Sequence, residues 1–298
     1  MDRLDALSVF VAVVEQGSFV AAARRLGRSP TAVTRAVAAL EDHLATRLLT
    51  RTTRAMNLTE AGQRYFDQGR RALAEFADLE SVVSGDGAEP SGLLTLTAPE
   101  MFGRIHVLPI ALKFMRDYPK VDVSLLLLNR VVSFVDEGID LGVRIAHLPD
   151  SGTRATQVGA VRRVVCASPE YLEAKGEPAH PDELQGRQAI VVTNVQAMPE
   201  RWTFSDKGAE ITVNVKARLA VSTVQAALEA AVAGAGLMRP LSYQSAPLEA
   251  AGLLRRVLIA YEPPPIPIHL AYPAGRHLPL KTRLFIDRAK AALGGRFE

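Results

Sequence analysis

The sequence lacks the residues that build disulfide scaffolds, membrane spans and metal centres. It has a single cysteine, Cys166, among 298 residues, so the chain cannot form an internal disulfide. No run of about 18 apolar residues is free of charge, which excludes a predicted transmembrane helix. Its six histidines show no metal-ligand spacing, and we predict no metal and no cofactor.

Enzyme motifs are also missing. The sequence contains no Gly-x-Ser-x-Gly, no Walker A loop and no complete Gly-x-Gly-x-x-Gly, so no catalytic residues are predicted. The N-terminus carries Asp2, Arg3 and Asp5, which makes it a poor signal peptide. Together with the lone thiol, which we expect to be a small buried hydrophobe rather than a redox sensor, this predicts a cytoplasmic protein without a membrane partner.

Positive charge is concentrated near the N-terminus. The whole chain has a net charge of +3, whereas residues 19–54 carry +5, which leaves −2 for the remainder. Such a distribution indicates a polyanionic partner for the N-terminal segment alone. A solvated arginine face without a partner is the alternative.

Three short helices are predicted in this basic region. Apolar residues three and four apart indicate a helix over 2–16, and a second follows over about 19–26. A Gly-Arg break then leads to Ser29, a predicted N-cap, and to Pro30 at the first position of a third helix, 30–44.

Two short helices joined by a tight turn with glycine form a helix-turn-helix, whose second helix enters the DNA major groove with its first turns. Arginine can bind guanine with two hydrogen bonds, and Ser and Thr can bind bases or phosphates. A helical hairpin that serves only for dimerisation is the alternative. The predicted DNA-binding residues of this unit and of the arginine-rich segment that follows are Ser18, Arg28, Ser29, Pro30, Thr31, Thr34, Arg35, Arg51, Thr52 and Arg54.

Residues 46–59 are short, β-branched and rich in arginine, which predicts a small hairpin or wing. Thr59 is the predicted cap of a long helix over about 60–84, and a flexible linker follows at 84–92. Apolar and small residues in this helix recur at a mean step near 3.5, which is typical of pairing with another helix. An amphipathic helix that packs on its own domain is the alternative. The predicted dimerisation residues are Tyr65, Ala72, Phe76, Leu79 and Val83, with Gly69 in the same series.

The pattern changes after Leu93. Short β-rich runs alternate with helical runs near 103–117, 130–137, 223–233 and 280–293. This alternation predicts an α/β region with a mostly parallel sheet and helices on its faces, and its length suggests two lobes.

The segment "FVAVVEQGSFVAAARRLGRSPTAVTRAVAALEDHLATRLLTRTTRAMNLTEAG" resembles the N-terminal region of LysR-type transcriptional regulators. The resemblance continues in "SPEYLEAKGEP" and "YPAGRHLPLKTRLFID" and so covers essentially the whole chain. It implies an all-α winged helix-turn-helix (1–58), a dimerising linker helix with a hinge (59–90), and a two-lobed effector domain similar to periplasmic binding proteins (91–298). The lobes would comprise about 91–161 with 267–298, and about 162–266.

The resemblance also implies dimers or tetramers that bind interrupted palindromes in double-stranded DNA and respond to a small molecule between the lobes. RNA polymerase is a further candidate partner. A ligand-binding module or enzyme that carries a helix-turn-helix as an interaction element is the rival interpretation.

Ligands of open α/β lobes lie beyond the carboxyl ends of strands, at helix starts. Glu100 stands near a position where many family members have a small hydroxyl residue, which favours a small polar metabolite other than a simple monocarboxylate. For each residue a capped turn is the alternative, and for Trp202 a buried core position. The predicted effector-binding residues are Ala98, Pro99, Glu100, Met101, Phe102, Asn129, Arg130, Thr193, Asn194, Trp202, Ser222 and Thr223.

Overall fold

A computed structural model of the chain describes residues 2–51, 56–83, 89–148, 153–193, 200–274 and 278–297. Its contacts divide the chain into two compact units. The first comprises residues 1–93 with 120–122, and the second comprises 94–119 with 123–298.

The first unit begins with three helices whose ends follow local sequence signals. They are α1 (Arg3–Gln16), α2 (Phe19–Leu26) and α3 (Pro30–His43). The side chains of Ser18 and Ser29 accept hydrogen bonds from the amides of Ala21 and Ala32, as expected of N-caps. Gly27 ends α2 with φ +64°, a left-handed conformation that glycine adopts without steric cost. The predicted helix-turn-helix is therefore confirmed.

The predicted wing is an antiparallel hairpin of β1 (Leu49–Arg51) and β2 (Met56–Leu58). The long helix α4 (Glu60–Val83) follows, and its first turn is capped where the Thr59 hydroxyl accepts the Gly62 amide at 2.9 Å. Apolar side chains of α1, α2, α3 and the wing share one core around Phe10, Val33 and Leu40.

Two five-stranded sheets form the second unit. One has the order β4-β3-β5-β14-β6, in which β3 is parallel to β5 while β14 is antiparallel to both of its neighbours. The strands of this sheet are β3 (Gly92–Ala98), β4 (Val121–Leu127), β5 (Leu141–Ile145), β6 (Thr153–Val161) and β14 (Ile266–Pro273).

The other sheet has the order β11-β8-β12-β7-β13, with parallel pairing of β8 to β11 and β12 and antiparallel pairing around β7. A separate hairpin, β9–β10, precedes β11 in the chain. These strands are β7 (Val165–Ala167), β8 (Gln188–Val192), β9 (Arg201–Asp206), β10 (Ala209–Asn214), β11 (Lys216–Val221), β12 (Leu237–Met238) and β13 (Arg255–Val257).

Helices cover these sheets. A nearly continuous helical segment runs from α5 (Glu100–Phe102) through a π-helical turn (Gly103–Val107) into α6 (Leu108–Asp117). The remaining helices are α7 (Pro169–Lys175), α8 (Val224–Val232), α9 (Ser242–Ala250) and α10 (Leu280–Leu293), with 3-10 turns at Pro181–Leu184 and Ile259–Tyr261.

Two sequence predictions for this unit were wrong. The sheets are mixed rather than mostly parallel, because β14, β7 and β13 run against their neighbours. Residues 130–137 form turns instead of a helix. One hydrogen bond, from the Glu137 amide to the Ser133 carbonyl, closes a single helical turn before Gly138 adopts φ +57°. The β-branched valines of this run add little helix propensity.

Cys166 is fully buried, and burial raises the pKa of its thiol to about 12, which confirms the expected small hydrophobe. Among the described helices, none is both long and apolar enough to cross a membrane.

Candidate DNA-binding surface and ligand-binding cleft

One face of α3 is exposed and polar at its N-terminal end. Pro30, Thr31 and Arg35 are exposed, Thr34 is half-buried, and Val33 is fully buried beneath them. Within the part of the chain that the structure describes, no side chain pairs with Arg35. Its guanidinium therefore has N–H donors that no described side chain occupies and that can bind a partner outside the chain.

Two other arginines of this region, Arg25 and Arg28, are already paired within the protein. Arg28 donates from both Nη atoms to the Asp5 carboxylate of α1, at 2.8 and 2.5 Å. These hydrogen bonds lower the pKa of Asp5 and raise the pKa of Arg28. Arg25 donates to Glu15 at 2.7 Å. The pairing distinguishes Arg35 from Arg25 and Arg28, although the sequence analysis predicts DNA binding for Arg28 as well.

A buried carboxylate connects α3 to the wing. Glu41 accepts the amides of Leu48 and Leu49 at 2.8 and 2.9 Å, and Arg47 donates to it at 2.9 Å. Burial opposes ionisation, but these donors outweigh it and lower the pKa of Glu41. Thr52 and Arg54 of the predicted wing contacts lie outside the described residues, as does the Arg51 side chain.

The predicted dimerisation residues of α4 fall into two groups. Tyr65 packs edge-to-face on Phe10 of α1 with ring centroids 5.7 Å apart, and a Cβ on Gly69 would lie 2.5 Å from Leu7 Cδ1. This half follows the alternative interpretation, an amphipathic helix that packs on its own domain. Ala72 is exposed and Phe76 is 44% exposed, while the side chains of Leu79 and Val83 lie outside the described residues.

A cleft of about 250 Å³ opens at the start of α5, near the first turns of α8 and α9. Three predicted residues, Glu100, Met101 and Asn129, lie on its wall. Sequence reasoning missed the rest of the lining, which comprises Arg104, Val224, Gln225, Tyr243 and Gln244.

Asn129 organises the mouth of this cleft. Its Oδ1 accepts the Glu100 amide at 3.1 Å, so this helix-start N–H is already bound within the protein. On the opposite wall, the Tyr243 hydroxyl accepts from Gln244 Nε2 at 3.1 Å. Burial raises the pKa of Tyr243 to about 12. The Glu100 charge acts in the same direction, whereas the hydrogen bond from Gln244 acts against it. Tyr243 is therefore neutral and keeps its O–H as a donor.

Several predicted effector residues make contacts within the protein. Ala98 and Phe102 are fully buried, and Phe102 stacks with His106 and Tyr243 behind the cleft wall. Arg130 donates to both oxygens of Glu137, which occupies its guanidinium.

The remaining predictions lie at strand and helix ends. Thr223 caps α8 by accepting the Ala226 amide, and Thr193 donates to the Val221 carbonyl, so both match the capped-turn alternative. Pro99 and Ser222 flank their helices without lining the cleft, and Asn194 lies outside the described residues.

A second pocket of about 50 Å³ lies at the ends of β8 and β12. Trp202 is almost fully buried in the lobe core, as its alternative predicted, and also lines this pocket. Arg163 and Arg239 line it too. Each lies in a largely apolar run of the sequence, "VRRVVCAS" or "GLMRPLS". A charged residue within such a run could have indicated a buried binding site. The described residues contain no His, Cys, Asp and Glu cluster that could hold a metal.

Two family models together match most of the chain. Residues 4–63 match the bacterial regulatory helix-turn-helix protein model of the lysR family. Residues 87–294 match the LysR substrate binding domain model.

Named relatives match this chain over most of their length. An HTH-type transcriptional regulator of Xanthomonas campestris is 37% identical over 94% of this chain and 82% of its own. PtxR of Pseudomonas aeruginosa, also an HTH-type transcriptional regulator, is 35% identical over 98% and 93%. The structure of CrgA, a LysR-type regulator from Neisseria meningitidis, is similar at a TM-score of 0.62, with 30% identity over 98% and 99%. These relatives are regulators, which removes the rival enzyme interpretation.

Proposed function

Because the chain belongs to the LysR family of DNA-binding transcriptional regulators, we propose that it reads an interrupted palindrome in double-stranded DNA with the first turns of α3. The observation that carries this is the exposed guanidinium of Arg35 on the first turns of α3, which has no side-chain partner among the described residues, whereas Arg25 and Arg28 are paired within the protein. A free guanidinium at this place can bind the O6 and N7 atoms of guanine. Thr31, Thr34 and Ser29 supply hydroxyls to neighbouring bases or phosphates.

Other residues of the domain contact the phosphate backbone of the DNA. Ser18 and Ser29 stand at helix N-termini, where free amides favour a phosphate. Arg51, Thr52 and Arg54 extend the contact to phosphates or to the minor groove. In this proposal residues 1–58 form the DNA-binding domain, residues 59–90 the linker helix and hinge, and residues 91–298 the effector-binding domain.

An interrupted palindrome needs two copies of the recognition helix. We infer that α4 joins them as a dimer or a tetramer through its exposed residues Ala72 and Phe76, together with the predicted dimerisation residues Leu79 and Val83. The assembly would act in the cytoplasm, where RNA polymerase is available as a further partner.

The effector is a small polar metabolite that binds in the cleft between the start of α5 and the first turns of α8 and α9. Glu100 presents a carboxylate to an amine or hydroxyl of the ligand, while Tyr243 presents an O–H donor. Binding there changes the affinity for DNA by a coupling free energy that acts in both directions.

The test of this function is selection of binding sites from random duplex DNA, followed by anisotropy titrations of the selected site at several salt concentrations. Phosphate contacts predict an affinity that falls steeply and linearly on a logarithmic salt scale. Recovery of palindromic sites with such a slope supports the proposal. A full-length protein that selects no site, or binds duplexes without salt dependence, contradicts it.

A further inference from the structure

Arg163 and Arg239 are brought side by side by backbone pairing of two distant segments. The Val164 amide donates to the Pro240 carbonyl at 3.0 Å, the Ser242 amide donates to the Arg162 carbonyl at 2.7 Å, and Arg163 forms a bridge with Leu241. Both arginines line the pocket at the ends of β8 and β12.

Neither guanidinium has a counter-ion in the part of the chain that the structure describes. Arg239 donates from Nη2 to the Thr203 carbonyl and lies over the Phe204 ring, 5.3 Å from its centroid, but its buried Nε has no partner. For Arg163, no described residue accepts a hydrogen bond from the side chain.

Two cations in one pocket repel each other, and removing each charge from water is also unfavourable for the stability of the fold. Burial lowers the pKa of Arg163, while burial and the Arg163 charge together lower the pKa of Arg239 to about 9. An arginine side chain is not deprotonated near neutral pH, so both groups carry a positive charge there. A paired anion would remove the repulsion and supply the missing acceptors.

The pocket that Arg163 and Arg239 line adjoins the ligand-binding cleft. Val224 and Gln244 line both cavities, so one end of a molecule in the cleft would lie next to the two arginines. A volume of about 50 Å³ holds a single small group, since one water needs roughly 10–15 Å³ by the same measure.

We propose that Arg163 and Arg239 form an anion subsite that holds the carboxylate or phosphate group of the effector, with Trp202 as its apolar wall. This inference rests on the proposed effector cleft and narrows its ligand class to organic anions. The remainder of the ligand then lies in the wider cleft against Glu100 and Asn129.

Thermal melting of the full chain tests the subsite with inorganic phosphate and with malonate, each compared with chloride at equal ionic strength. Arg163→Met removes one positive charge and keeps a long unbranched side chain. Arg163→Lys keeps the charge but lacks the planar guanidinium with its paired N–H donors. Arg218→Met is the matched control, because Arg218 is an exposed arginine of the same lobe that donates to Gln188.

We expect one of the two anions, at about a hundredfold excess over its dissociation constant, to raise the wild-type Tm by about 5–10 °C. Arg218→Met should keep this rise, Arg163→Lys should show a smaller one, and Arg163→Met should lose it. Arg163→Met should also melt higher than wild type in chloride, because the repulsion is gone. General salting-out by phosphate would affect every variant equally and so cancels.

Equal Tm values for wild type in phosphate, malonate and chloride would overturn the subsite. So would a full anion response in both Arg163 variants, or a lower Tm of Arg163→Met in chloride. DNA binding of the wild type, measured in the same buffers, separates the two proposals. Intact binding without an anion response contradicts the subsite alone, whereas absent binding contradicts the proposed function.

Discussion

The carboxylate of Glu41, near the end of the recognition helix, accepts the backbone amide of Leu49 at 2.9 Å. The Leu48 amide shares the same oxygen, and Arg47 donates to the other. This buried carboxylate thereby fixes the first strand of the wing against the helix that faces DNA.

Replacement of Glu41 by alanine should destabilise the first unit by roughly 2–4 kcal/mol, because two buried amides lose their acceptor. Glu41→Gln keeps one acceptor oxygen and should cost less. Calorimetric melting of the full chain measures both, with Asp42→Ala, an exposed neighbour on α3, as the control. Equal melting of Glu41→Ala and Asp42→Ala would show that the wing does not depend on this contact.

The Glu41 contact also predicts a pH dependence. Its pKa lies below the usual 4.5 in the folded state, so the unfolded chain takes up the proton first. The stabilisation is present above the unfolded pKa and is lost as the pH falls through the folded pKa. Wild type should therefore lose more stability between pH 5 and pH 3 than Glu41→Gln does.

Replacement of Arg35 by alanine should weaken binding to the selected site by about 1–3 kcal/mol and relax the preference at one base pair. Arg35→Lys retains the charge but not the planar fork, so it should recover non-specific affinity without the preference. Anisotropy titrations on matched and single-mismatch duplexes distinguish these effects. If Arg35→Ala leaves both affinity and preference unchanged, α3 does not read the site through this residue.

His106 should make the second unit sensitive to acid. Burial and the Arg296 charge lower the pKa of His106, whose buried Nε2 has no hydrogen-bond partner among the described residues. Because an unfolded histidine titrates near 6.5, the unfolded state binds more protons below that pH, and stability falls as the pH drops from 7 to 5. Melting across this range should show a smaller decline in His106→Phe, which fits among Phe102, Tyr243 and Phe297. His147→Gln, an exposed position, is the control, and an equal decline in all three proteins would contradict this role.

The first unit was predictable because its signals are local. Ser29, Thr59 and Gly27 mark helix ends by short-range hydrogen bonding and by backbone conformation, and their neighbours carry the apolar periodicity. The effector region depends on contacts between distant segments. Asn129 caps the Glu100 amide from another strand end, and Arg163 meets Arg239 only through backbone pairing, so neither relationship leaves a local pattern.

The dimerisation residues predicted in α4 show that apolar periodicity alone does not identify the surface against which a helix packs. A step near 3.5 indicates an apolar stripe without saying which surface covers it. In this chain α1 covers the stripe at Tyr65 and Gly69, whereas Phe76 remains 44% exposed.

The exposed ring of Phe76 predicts that two copies of the chain associate through α4. Covering the exposed part of Phe76 would stabilise a dimer by about 2 kcal/mol per copy, and a two-fold interface counts each residue twice. Phe76→Asp removes this term and places a charge in the interface, so the dimer dissociation constant should rise at least about a hundredfold. Sedimentation velocity over a concentration series measures it. Gln68→Asp changes the charge equally at another exposed position of α4 and should leave assembly intact. Wild-type protein that sediments as a monomer at micromolar concentration, or a Phe76→Asp variant that still dimerises like wild type, would exclude α4 as the assembly element.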